Sequence, residues 1–122
     1  MIADHLPLEP FDRAARIQPA EYREQIGTIF SVEHADGAVP LRLADVSADH
    51  ISNGFLQFSL YFHGPPNRLL PQHIYSFHHD DLGALALFIV PIVGSNAERI
   101  VYEACFSRRV AQEAAQSTGN DR

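Results

Sequence analysis

The chain has 122 residues, 46% of them apolar, with 15 acidic and 9 basic side chains and a formal net charge of −6. This length fits one domain with its own core, because folding at this size removes about two-thirds of the extended chain's surface from water, and stability gives no reason to invoke a structural metal. The acidic balance points away from nucleic acid, whose binding needs a basic surface to release counterions, and the single cysteine, Cys105, excludes an intrachain disulfide.

The stretch Met1 to Arg13 carries Asp4, His5, Pro7, Glu9, Pro10 and Asp12 with no apolar run, unlike a secretory signal. The longest apolar run, Ala84 to Val93, has ten residues and contains Pro91, too short to cross a bilayer as a helix. The expectation is a cytoplasmic protein without a membrane partner, with Cys105 as a packed thiol in Glu103-Ala104-Cys105-Phe106.

In chain order, residues 1–18 read as a proline-containing arm, laid over the domain or mobile. Pro19 to Gly27 begins with proline, has an early acid in Glu21 and stops at glycine, which predicts a short helix. From Thr28 to His34 the period becomes two, with Phe30, Val32 and His34 on one face, and Ala35-Asp36-Gly37 supplies hairpin chemistry before a second strand over Val39 to Ser47. Pro40 belongs near the start or edge of that strand, since it has no N–H to donate.

Phe55 to His63 alternates most cleanly, with Leu56, Phe58, Leu60 and Phe62 opposed to Gln57, Ser59, Tyr61 and His63. Gly64-Pro65-Pro66-Asn67 breaks it. The next strand is Ile74 to His79, with Tyr75, Phe77 and His79 together, followed by the turn Asp80-Asp81-Leu82-Gly83. Ala84 to Val93 is apolar on both faces, Leu85, Leu87 and Ile89 against Ala86, Phe88, Val90 and Ile92, the pattern of a strand buried on both sides. Arg99 to Ser107 is the last strand, and residues 108–122 read as a turn or two of helix or a disordered tail. The fold class is therefore all-β: a single domain over 19–107, with about six antiparallel strands in a meander that forms a small barrel or a folded-over sheet.

The stretches Phe58-Ser59-Leu60-Tyr61-Phe62-His63-Gly64-Pro65, Leu70-Pro71-Gln72 with Tyr75, His79 with Leu82 to Pro91, and Tyr102-Glu103-Ala104-Cys105-Phe106 together resemble a family of small bacterial domains of unknown function. The resemblance covers roughly Tyr22 to Ser107. Two positions depart from the family pattern: His63 stands where arginine is usual, and His78 where an acid is common. The resemblance implies an association with phage-tail-like or tail-collar-type fibre proteins and implies no reaction.

Two sets of residues stand out chemically. His73, His78, His79 and Asp80, with His63 one hairpin away, are the residue types that ligate zinc and related metals, and would support a metal-binding or small-molecule barrel, conceivably an enzyme. His78 and His79 must point to opposite faces of a strand, however, and the structural alternative is solvent-facing histidines plus one hydrogen-bonded in the core or at the rim, with Asp80-Asp81 accepting the His79 N–H. Gln72 would fix its turn through backbone bonds, and Glu103 would pair with Arg42 or Arg99. The second set is the outer face Ala86, Phe88, Val90 and Ile92. It needs a cover: the N-terminal arm, the helix around Glu21 to Gln25, or another protein chain. With no phosphate loop, nucleophile elbow or His-Glu-x-x-His motif, the sequence implies no cofactor and no catalytic residue. It favours a protein-binding or assembly domain whose partner is another protein or a second copy of the chain.

Overall fold

The period-two segments become strands whose alternate apolar residues turn inward. The computed structural model describes residues 10–92 and 95–110. Two short helices, α1 (Pro10–Arg16) and α2 (Pro19–Arg23), precede β1 (Ile29–Val32), β2 (Val39–Val46), β3 (His50–Ser52), β4 (Phe55–Gly64), β5 (His73–His79), β6 (Gly83–Ile92) and β7 (Ile100–Arg109). The expected tail beyond residue 110 and the first nine residues of the arm lie outside the described residues.

Six strands close into an antiparallel barrel in the order β1–β2–β4–β7–β6–β5 and back to β1, and β3 adds a seventh strand on β4. The small barrel expected from alternation is present; strand order and closure are what the structure adds. The link from β4 to β5 leaves nearest-neighbour order, and β7 returns between β6 and β4. A shift of register between Leu43 and Asp45 marks a bulge in β2, a device that bends a strand where a barrel must curve. Pro40 lies at the second position of β2, before the β4 pairing begins at Arg42, so its missing N–H leaves no gap in that ladder.

Three features differ from expectation. Residues 10–16 of the arm form α1. β7 continues through Arg108 and Arg109, which therefore belong to the barrel and not to a tail. β3 arises from an Asn53-Gly54 turn, with φ of 54° and 82°, the left-handed pair that a tight hairpin requires.

The core has two aromatic nests. Phe30, Phe62 and Phe77 are fully buried, with ring centroids 5.3 Å (Phe30–Phe62) and 5.5 Å (Phe62–Phe77) apart. Toward the helices, Phe58 stacks on Phe106 at 4.8 Å and Tyr22 packs on Phe106 at 5.6 Å. The buried Tyr22 donates its hydroxyl to the Ala14 carbonyl at 2.9 Å, which clips α1 to α2. Burial pushes the Tyr22 pKa up, so this hydroxyl stays a donor. At the opposite end Gly64 has no room for a side chain, since a Cβ there would stand 2.5 Å from Leu41 Cδ2 and 3.1 Å from Tyr102 Cε2.

Candidate functional site

Both faces of β6 are apolar, but only one is fully buried. Leu85, Leu87 and Ile89 fill the barrel, whereas Ala86, Val90 and Ile92 are half-buried on the outside. α1 covers the start of the strand. Arg13 donates from Nε to the Ala84 carbonyl at 3.1 Å and from Nη2 to the Leu82 carbonyl at 2.7 Å. Gly83 permits this approach: its φ is +79°, and a Cβ there would lie 2.7 Å from Arg13 Nη2. Beyond α1 the cover ends, and Phe88 is 44% exposed beside its cross-strand neighbour Ile74 at 48%. The expectation of burial on both sides is thus corrected: the arm shields only the first part of the outer face.

The barrel wall opens beside this pair. Among the described residues β6 and β7 pair only through Val90↔Glu103, Pro91↔Tyr102 and Ile92↔Val101, although β6 begins at Gly83 and β7 runs on to Arg109. Next to the unpaired stretch is a cleft of about 160 Å³, lined by Ala15 of α1, Ala86 and Phe88 of β6, and Phe106, Ser107 and Arg108 of β7. Strand edges that lack a ladder partner are templates for an added chain.

Arg108 is the one charged residue among the described residues that line this cleft. Its Nη1–H donates to the Ile17 carbonyl at 2.8 Å, and its guanidinium carbon lies 5.1 Å from the Phe58 ring centroid and 5.4 Å from that of Phe106. Its Nε and Nη2 are buried without partners among the described residues. Desolvation pulls its pKa down, against the opposing influence of Tyr22. Its inward place on β7 makes it the residue the sequence reading missed. Continuing the inward alternation Tyr102, Ala104, Phe106 by one step would have found it.

A polar cluster occupies the outer face of β4 and β7. Ser59 Oγ–H donates to Glu103 Oε2 at 2.8 Å and the Tyr61 hydroxyl donates to the same oxygen at 3.2 Å, with Cys105 Sγ 3.4 Å from Ser59 Oγ. Glu103 thus takes two hydroxyls in place of the expected Arg42 or Arg99. Cys105 is exposed, not packed as expected. Partial desolvation of its sulfur raises the thiol pKa, and the neighbouring Glu103 adds to the rise. The thiolate is disfavoured there, no imidazole hydrogen-bonds to Ser59 or Cys105 among the described residues, and the group that Ser59 meets is the Glu103 carboxylate.

The Ser59 hydrogen bond is the main cause holding the Glu103 carboxyl below its ordinary pKa. A depressed carboxylate stabilises the fold above its unfolded pKa, and that contribution disappears as pH falls through the folded value. In Ser59→Ala, carbon-detected NMR titration is expected to place the Glu103 midpoint higher than in the parent chain. The stability difference due to this bond should vanish at low pH.

The histidines separate. His78 bonds to Glu33 at 2.5 Å on the exposed outer surface, while His79 is buried against Thr28, with its Nε2 2.8 Å from Thr28 Oγ1. His63 Nδ1 accepts from Arg42 Nη2 at 3.2 Å, and desolvation, then the charges of Arg99 and Arg42, hold the His63 pKa below its ordinary value. His73 and Asp80 are exposed, with His73 edge-on to Tyr75 at 5.6 Å. Among the described residues no three His, Cys, Asp or Glu side chains are grouped to hold an ion. Two local roles are also corrected. The Asp81 and Leu82 N–H groups donate to His79 Nδ1, the reverse of the expected direction, and Gln72 is exposed while Tyr75 ties that turn by donating to the Pro71 carbonyl at 2.7 Å.

No helix among the described residues is long and apolar enough to cross a membrane. The chain matches no curated protein and no solved structure. The model of the family described as a domain of unknown function, DUF6916, matches residues 17–106, from α2 through the barrel to Phe106 within β7, and the chain belongs to that family.

Proposed function

We propose that the chain is a non-catalytic protein-binding or assembly domain that receives a partner along the outer face of β6 and the cleft beside it. The observation that carries this reading is the exposed Ile74–Phe88 pair bordering strand edges without a ladder partner. Apolar side chains supply contact area and main-chain groups outside the β6–β7 ladder supply register, the combination that strand addition uses. The resemblance read from the sequence extends the proposal to a partner of phage-tail-like or tail-collar fibre type, with a second copy of the chain as the self-associating form.

Phe88→Asp tests it. The side chain is largely outside the core, so the fold is expected to be retained, while a charge in the middle of the patch removes association. Sedimentation of the purified full chain reads self-association, and affinity capture from the native host, run in parallel with the parent and the variant, reads a heterologous partner. The expected result is an association made by the parent and lost in Phe88→Asp. A monomeric parent that captures nothing, or an association indifferent to the substitution, overturns the proposal.

A further inference from the structure

A guanidinium withdrawn from water normally has its donors matched, since an unpaired buried charge is costly. Arg108 departs from this. Of its donors, Nη1 has the Ile17 carbonyl, whereas Nε and Nη2 have no partner among the described residues and are shielded from solvent. These two are not an arbitrary pair. In a planar guanidinium the Nε–H and the nearer Nη2–H lie parallel along one edge, spaced to meet the two oxygens of a carboxylate. The engaged nitrogen is the one outside that edge.

The surroundings narrow the chemistry. Among the described residues no carboxylate lines the cleft. Its other walls are mostly apolar, Ala14, Ala15, Ala86 and Phe88 among them, and suit an apolar stem, with Ser107 and Cys105 the other lining side chains that carry a donor. A volume of about 160 Å³ admits one side chain and not a large ligand. The flexible Arg108 arm must swing to bring its covered edge to the occupant.

We infer that the cleft between β6 and β7 is a carboxylate-recognition pocket, in which an acidic side chain of a partner protein inserts beside Phe88 and meets the free edge of Arg108. The inference rests on the protein-binding reading and names its specificity: the docked segment carries a glutamate-like anchor.

The test requires no partner. The full chain, labelled with 15N, is titrated with N-acetylglutamate N-methylamide, with its neutral glutamine counterpart, and with inorganic phosphate, while the Arg108 Nε–H resonance is followed. The glutamate compound is expected to shift that resonance saturably, with an affinity on the order of millimolar for so small a ligand, and the glutamine compound is not. Arg108→Lys keeps the charge and removes the fork, and should weaken binding by roughly tenfold or more. Arg108→Met should abolish it. If Arg108→Met does not fold, the lysine variant and the glutamine control still decide.

No shift with glutamate, an equal shift with glutamine, or an equal response to phosphate overturns the carboxylate pocket. That failure is distinct from failure of the protein-binding reading, because partner capture lost in Phe88→Asp would stand without it. Conversely, a pocket that binds the glutamate compound in a chain that captures nothing would leave the pocket and remove the partner.

Discussion

Phe62→Ala is expected to lower the unfolding free energy by about 3–5 kcal/mol, the usual cost of removing a large aromatic side chain from a close-packed core. Phe62 lies at the crossing of the barrel's main contacts. On β4 it pairs in register with Leu43 of β2 and Tyr102 of β7, and its ring meets Phe30 of β1 edge-on at 5.3 Å and Phe77 of β5 at 5.5 Å. One side chain therefore joins five of the six barrel strands, and its removal leaves a cavity whose walls belong to different strands and cannot close together. Domains of this kind typically have only about 5–15 kcal/mol of net stability, so the variant should sit near the limit of folding. Urea titration followed by tyrosine fluorescence measures it. A loss under about 1 kcal/mol would mean that the barrel collapses around the gap, contrary to the rigid core inferred here. Because Phe62 is far along β4 from the register of Arg108 with Leu56, the carboxylate pocket should survive in whatever fraction stays folded.

What was legible in the sequence followed from periodicity. Phe58, Leu60 and Phe62 alternate without interruption, and the burial of all three is the direct result. The same rule separates His78 from His79, one bonded to Glu33 outside and the other to Thr28 inside. Closure was not legible, because the β2–β4 and β1–β5 pairings are long-range and leave no local trace. Nor was α1: its seven residues are too few to show an apolar stripe, and it is held by Arg13 reaching the Leu82 and Ala84 carbonyls and by the Tyr22 hydroxyl, all tertiary bonds. β3 differs, since Asn53-Gly54 is a strong hairpin signal in its own right, and only the brevity of His50–Ser52 hides it. The outer face of β6 was visible as an excess of apolar residues, but the opening beside it was not. That opening exists because β6 and β7 stop pairing at Val90 and Glu103, a departure from regularity that residue types alone do not encode.

His79→Ala is expected to cost about 2–4 kcal/mol, although no chemistry is assigned to this histidine, because two backbone donors lose their acceptor and a packed, buried ring is removed. The reasoning begins with the proton. Nδ1 lies 3.0 Å from the Asp81 nitrogen and 3.2 Å from that of Leu82, and both N–H groups point to it, so Nδ1 carries no hydrogen and Nε2 must. Nε2–H then donates to Thr28 Oγ1 at 2.8 Å, consistent with the Thr28 hydroxyl giving its own hydrogen to the Gln25 carbonyl at 2.7 Å. The ring, 8% exposed and 4.3 Å from the Phe30 ring, thus ties the turn before β6 to the turn after α2. Asparagine separates the parts of this role. Its side-chain oxygen can stand near the place of Nδ1 and accept from the same N–H groups, but it reaches neither Thr28 nor Phe30 as the ring does. His79→Asn is therefore expected to recover part of the loss, with the parent most stable and alanine least. Hydrogen exchange at Asp81 and Leu82 should be fastest in the alanine variant and slowed again in asparagine. Equal exchange in the two variants would show that the turn is held by packing on Phe30 and not by the Nδ1 acceptor. The consequence reaches the site, because this turn presents the Leu82 carbonyl that Arg13 grips. Loosening it should free α1, widen the cleft between β6 and β7, and weaken carboxylate binding at Arg108 in the alanine variant more than in the asparagine one.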